Sequence, residues 1–249
     1  MRNPFIYPRV VFLITLVVLW VAAWAGARFR RQEIKEEDRG DYNLVIGATL
    51  TLLGLIIGFS FSMALERYDQ RKNYEEAEAN AIGTEYVRAD LLPEADAARV
   101  RELLRQYTDL RIRFYEDRDT NELRLIDADT SRVQDELWAA ASRPAMAQPT
   151  PVIALAVGGM NDVLNSQGYT QAAWWNRIPA AAWALLLVIG VFSNALVGFG
   201  ARRVDARLVI LPLVVAISFF LISDIDSPRR GVIRVHAQNL ESLRAGLHP

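Results

Sequence analysis

GLIIGFSFSMALERYDQRKNYEEAEANA, Gly54 to Ala81, begins as a segment suited to a bilayer and ends as one suited to water. No proline interrupts it and no glycine follows Gly58, so the spacing predicts one helix that leaves the lipid and continues as a charged rod. On a wheel of about 100° per residue, Gly47, Thr51, Gly54, Gly58 and Ser62 form a narrow stripe of small residues. Leu52, Leu55, Phe59 and Met63 form a second, large apolar stripe beside it. Small stripes let helix backbones approach closely, and Gly54-x-x-x-Gly58 fits that pattern. The large stripe then faces something else. In a ring of copies it would line an axial constriction that gates water by dewetting, and otherwise it is an ordinary packing surface.

The same change of character recurs along the chain. Its 249 residues are 52% hydrophobic and 23% charged, with a formal net charge of −1, which argues against both a wholly buried membrane protein and a binder of nucleic-acid polyanions. The charge lies in blocks: 18 uncharged residues separate Arg9 from Arg28, 24 separate Asp41 from Glu66, 24 separate Arg177 from Arg202, and 16 separate Arg207 from Asp224. A spanning helix needs about 20 apolar residues, so four spans are expected, near 10–27, 43–65, 178–200 and 208–223, the last of them short. Arg2 and Arg9 ahead of the first run imitate a secretory signal. That run is longer than an h-region of about 7 to 15 residues, and Trp20 and Trp24 suit an interfacial anchor, so an uncleaved span is expected. There is no cysteine, which excludes disulfides, thiolate metal sites and a thiol nucleophile.

Between the two pairs of spans lies a polar stretch. From Glu66 to Ser142 it carries 19 acidic and 12 basic residues, a net −7. Val100, Leu103, Leu104, Tyr107, Leu110 and Phe114 recur at helical spacing, with Arg101, Arg105, Asp109 and Arg113 off that face. Pro93 separates this helix from the preceding one, and a further helix is expected over 120–142, carrying Leu123, Ile126 and Leu137. The prolines of RPAMAQPTP, Arg143 to Pro151, are expected to end it, and 152–164 to form a helix buried in the same domain or an interfacial piece. The resulting organisation is a first transmembrane pair at 1–65, a helical domain at 66–176, a second pair at 177–223 and a tail at 224–249. Two crossings on each side put both termini and the middle domain on one face. Arg28, Arg30, Arg31, Lys35, Arg39, Arg202, Arg203 and Arg207 occupy the other, so charge alone leaves the sidedness open.

Three stretches carry a family resemblance. LLGLIIGFSFSMALERYDQRKNYEEA resembles the second-helix segment of bestrophins, bacterial ones above all; RIPAAAWALLL resembles their Ile-Pro approach to the third span; and FLISDIDSPRRGVIRVHAQNLESL resembles the exit from the fourth. The order of elements matches too. The resemblance covers about 43–247 and implies an all-α membrane protein with four transmembrane helices and an α-helical cytosolic domain inserted between spans two and three. It implies a homo-oligomer, a pentamer, passing small ions through an axial pore in a bacterial inner membrane, with the middle domain and termini cytoplasmic. The pore neck would fall on Leu55, Phe59 and Met63, with Glu66 and Arg67 at its mouth and Gly47, Gly54, Gly58 and Ser62 packing helices together. The paired tryptophans usual after the Tyr-Asp segment are replaced by Gln70, Arg71 and Lys72. The calcium-binding acidic run of animal members is reduced to Asp224 and Asp226, too few oxygens for an ion that takes about 6 to 8.

The remaining polar residues have plainer readings. Asp224 and Asp226 read as a polar helix end. Arg229, Arg230 and Arg234 are expected to reach the acidic domain of their own or a neighbouring copy, the alternatives being lipid headgroups or plain solvation. Ser193 and Asn194 inside the third span read as packing, and Glu75 with Glu76, like Asp127 with Asp129, as solvated helix faces. His236 and His248 lack the neighbours of an acyl-transfer or metal site, and no phosphate loop or G-x-G-x-x-G occurs, so neither an enzyme nor a cofactor is expected. The expected partners are further copies, lipids and permeant ions, with no nucleic acid. A rival reading is a membrane-anchored oligomeric scaffold whose acidic domain binds a partner.

Overall fold

The computed structural model of the protein describes residues 7–30, 35–201 and 206–247; Arg2, Arg31, Arg202, Arg203 and His248 lie outside them. Every regular element described is helical: α1 Pro8–Phe29, α2 Arg39–Arg88, α3 Glu94–Glu116, α4 Thr120–Ala147, α5 Pro151–Trp175, α6 Ala180–Gly200, α7 Ile210–Asp226 and α8 Gln238–Gly246, with short 3-10 turns between some of them. Four helical stretches are long and apolar enough to cross a membrane: Pro8–Phe29, Glu36–Leu91, Pro151–Gly200 (which contains α6) and Ala206–Asp226. This is an all-α membrane protein.

The chain divides into two compact units, Met1–Tyr68 with Arg177–Arg234, and Asp69–Asn176 with Val235–Pro249. In the first, Val11 and Leu19 of α1, Leu53 and Ala64 of α2, Trp183 and Leu186 of α6, and Val215, Phe219 and Ile222 of α7 share one apolar core. α1 and α6 meet backbone to backbone. A Cβ on Gly26 would overlap the Ala195 carbonyl, and one on Gly198 would overlap that of Ala23. Such close approach is how helices gain contact in lipid, where apolar burial brings them no advantage over the surrounding chains.

α2 runs unbroken for 50 residues, about 75 Å at 1.5 Å per residue. Each interior glycine costs a helix in water roughly 1 kcal/mol, but in hydrocarbon an opened turn would strand backbone groups with no partner, so the helix persists through Gly47, Gly54 and Gly58. Past Leu65 the sequence turns polar and charged, and Glu, Arg, Gln, Lys and Ala, residues of good helix propensity, recur along it.

In the second unit, α3 buries Val100, Leu103, Leu104, Tyr107 and Phe114, the face expected from spacing, with Leu110 only half-buried. Asp119 caps α4 by accepting from the amides of Asn121 and Glu122. The expectation that RPAMAQPTP stops this helix at once is corrected: α4 continues through a buried Pro144 to Ala147. Proline removes one backbone donor, and packing against α3 and α5 holds the turn regardless. The stop comes at Gln148, and Thr150 caps α5 through the Ile153 amide with Pro151 in the first turn. α5 extends beyond 152–164 to Trp175.

Candidate functional site

The membrane half of α2 touches the rest of its unit through one side. Leu53, Ser60 and Ala64 are buried, whereas Leu55 is 52% exposed, Phe59 61% exposed and Met63 half-buried. At a rise of about 6 Å per four residues, these three make an apolar ladder along one face. Gly54, Gly58 and Ser62 run beside it, exposed, with Gly47 about two turns back; a Cβ at Gly47, Gly54 or Gly58 would meet nothing described within 4 Å. Among the described residues, then, nothing packs closely on these three glycines, whereas Gly26 and Gly198 carry a close helix crossing. One turn beyond Met63, Glu66 is exposed, while Arg67 turns back to donate to the Met63 carbonyl at 3.3 Å.

At the far end of α7 both carboxylates are buried and aimed at backbone. Asp224 accepts from the Val232 amide at 2.8 Å and the Ile233 amide at 2.8 Å, folding the chain after Ser227 back onto the helix. Gly231 lies so close to the Asp224 carbonyl that a Cβ there would overlap it. Asp226 accepts from the Ile178 amide at 3.2 Å, tying the approach to α6 to the end of α7. Arg230 stacks over the Tyr7 ring at 4.2 Å, and Arg229 and Arg234 are half-buried.

Contacts between tail and acidic unit fall on residues whose spacing in sequence points to no such role. Glu75 accepts from the backbone amides of Asn239 and Leu240, each at 2.9 Å, and from Asn239 Nδ2 at 2.6 Å. It thereby caps α8 from another helix, where a negative charge also complements the helix dipole. Burial pushes its carboxyl above the ordinary value, and those hydrogen bonds pull the other way. Glu116 pairs with His236 Nδ1 at 3.0 Å, and Arg244 Nε with Asp109 at 3.2 Å. The solvated-face reading of Glu75 and Glu76 is corrected for Glu75, which is buried; Glu76 is exposed.

One turn farther along α2, Glu78 is fully buried. It accepts from Arg111 Nε at 2.5 Å and Nη2 at 3.4 Å, from the Tyr115 hydroxyl at 3.3 Å and from Thr170 Oγ1 at 3.2 Å. The Arg111 guanidinium also lies over the Phe114 ring at 4.3 Å. Burial, then the Glu78 charge, hold the Tyr107 and Tyr115 hydroxyls protonated well above the usual range. This cluster fastens α2 to α3 and α5 within the unit.

A Bestrophin-like domain model matches residues 13–240. The chain belongs to the bestrophin-like family. Crystal structures of a bacterial bestrophin homolog from Klebsiella pneumoniae share the fold: one point-mutant form superposes with a TM-score of 0.65 at 12% identity, covering 95% of this chain and 97% of that one. A second mutant form gives 0.65 at 13%, covering 95% and 96%, and another structure of the homolog gives 0.62 at 14%, covering 95% and 99%. Among curated proteins the chain has no match. At such identity the bestrophin-like relatives carry the fold alone, so the role of each α2 side chain rests on the geometry above.

Proposed function

We propose that this bestrophin-like chain forms an ion channel. Copies assemble as a ring, five by the family resemblance, with the membrane half of α2 facing the axis. Leu55, Phe59 and Met63 form the apolar neck, Glu66 and Arg67 stand at its mouth, and Gly47, Gly54, Gly58 and Ser62 seat the neighbouring copy. Residues 66–176 make the cytosolic domain of a bacterial inner-membrane protein whose termini share that side. The observation that carries the reading is the pair of stripes on α2, one large and apolar, one of small residues, both exposed among the described residues save for the half-buried Met63. A helix with a lipid-facing role has no use for a ladder beside an empty glycine groove, whereas a ring uses both.

The test is single-channel recording of the purified protein in planar bilayers under a KCl gradient, with Phe59→Ala alongside. Discrete currents that grow in the variant support the neck, and their reversal potential gives the preferred ion. Silent bilayers holding intact, inserted oligomers favour the scaffold, and a monomer in native mass measurements sinks the ring.

A further inference from the structure

Glu85 lies on α2 beyond the Glu78 cluster and has no part in it. Its side chain is fully buried, and neither carboxylate oxygen has a hydrogen-bond partner among the described residues. It lies against the bare backbone of Gly159 on α5, where any Cβ would overlap Glu85 Oε2 and stand 2.5 Å from Arg88 Nη1, so the carboxyl and the Arg88 guanidinium share the space that the missing side chain leaves. A buried polar group without a partner is costly, and an unpaired charge far more so, whereas a protonated carboxyl avoids most of that cost.

The surrounding charges do not rescue the ionised form. Arg88, on the same helix, attracts it, and Asp162 of α5 opposes that. From α3, Arg101 is held by Asp90 and the Tyr86 ring, and Arg105 by Glu102 and the Tyr86 hydroxyl. From α8, the uncharged Leu243 stands at Gly83. Burial pushes the carboxyl up to about 8, with Arg88 lowering it and Asp162 raising it.

We propose that Glu85 is a proton-operated latch between α2 and α5, closed while its carboxyl is neutral and loosened when the proton leaves. The folded state binds this proton more tightly than the opened chain, where the group titrates as an ordinary glutamate. The stabilisation is therefore complete below the ordinary glutamate range and is lost as pH rises through about 8. Gly159 is part of the device, because any larger residue would force the helices apart or displace the carboxyl. Since α2 also carries Leu55, Phe59 and Met63, an effect of the latch on conduction rests on the channel reading, but the latch itself does not.

The experiment is amide hydrogen exchange of the full-length protein in detergent, following α5 around Gly159 from about pH 6 to about pH 10, in the wild type and in Glu85→Gln. The variant keeps the shape and fixes neutrality. The ratio of wild-type to variant exchange rates should rise about tenfold per pH unit up to about pH 8 and then level off. A ratio independent of pH overturns the latch. Asp162→Asn, at an exposed position, guards against a misfolded Gln variant: by removing a repelling charge it should move the wild-type exchange transition to lower pH, and an unmoved transition counts against the proposal. A pH-dependent ratio with silent bilayers would sink the channel and leave the latch, while currents with a flat ratio would do the reverse.

Discussion

Replacing Arg111 by methionine tests whether the Glu78 cluster holds α2 in the helical unit. Methionine keeps an unbranched, flexible side chain over Phe114 but removes both guanidinium bonds, at 2.5 Å and 3.4 Å, leaving Glu78 with neutral hydroxyls, those of Tyr115 and Thr170 among them. Both members of the pair are fully buried, so no water replaces the lost donor. Removing one partner of such a pair costs about 3–5 kcal/mol, because an uncompensated carboxylate remains. At roughly 2–4 °C per kcal/mol for a chain of this size, melting should fall by about 6–20 °C. Trp174 packs on Phe114 and Tyr115 at centroid distances of 5.1 and 5.5 Å, so tryptophan fluorescence in detergent reports the transition locally. In the double variant Arg111→Met with Glu78→Gln, neither member of the pair carries a charge and much of the loss should return. A loss under about 2 °C in the single variant, or strictly additive losses in the double, would refute the reasoning.

At the α1–α6 crossing, Gly198→Ala should cost about 1–3 kcal/mol by overpacking against the Ala23 backbone. Gly54→Ala should leave the melting of the isolated chain unchanged and weaken self-association, read by native mass measurement. Asp224→Ala strips the acceptor from the Val232 and Ile233 amides, a charge-assisted pair of bonds worth about 1.5–3 kcal/mol each, and should open residues 227–233 to limited proteolysis. The tail should respond unequally: Glu75→Ala uncaps α8 at a cost of about 1–2 kcal/mol and speeds cleavage near it. His236→Ala, which breaks an exposed pair, should shift stability by less than about 1 kcal/mol.

Lipid makes some of this protein legible in one dimension. A span must be free of charge over its whole length, so the runs that become α1, α6, α7 and the first half of α2 stand out as soon as Arg, Lys, Asp and Glu are marked, and only the helix ends differ, because helices continue past the lipid into charged sequence. The two stripes on α2 were legible for a similar reason, a helix having fixed periodicity, and so was the face of α3. Arg111 was not, since its partner Glu78 is 33 residues away and a buried arginine looks like a solvated one until the fold supplies the carboxylate. Glu75 and Glu85 were hidden in the same way: their roles depend on the Asn239 and Leu240 amides in one case and on the bare Gly159 backbone in the other. Pro144 misled because a proline's local preference is weaker than the packing on both sides of it.

The backbone contact between α1 and α6 also sets an order of events during synthesis. Gly26 leaves the ribosome 169 residues before Ala195, the group it packs against. At about 5–20 residues per second, the first span waits roughly 10–30 s in the bilayer before its partner exists. Throughout that interval α3, α4 and α5 are made, whereas α8, the helix that Glu75 caps, follows only after α7. The face of α1 that meets α6 backbone to backbone thus spends that interval against lipid acyl chains or an insertase, and the side that packs on α7, with Phe12 against Phe220, waits longer still.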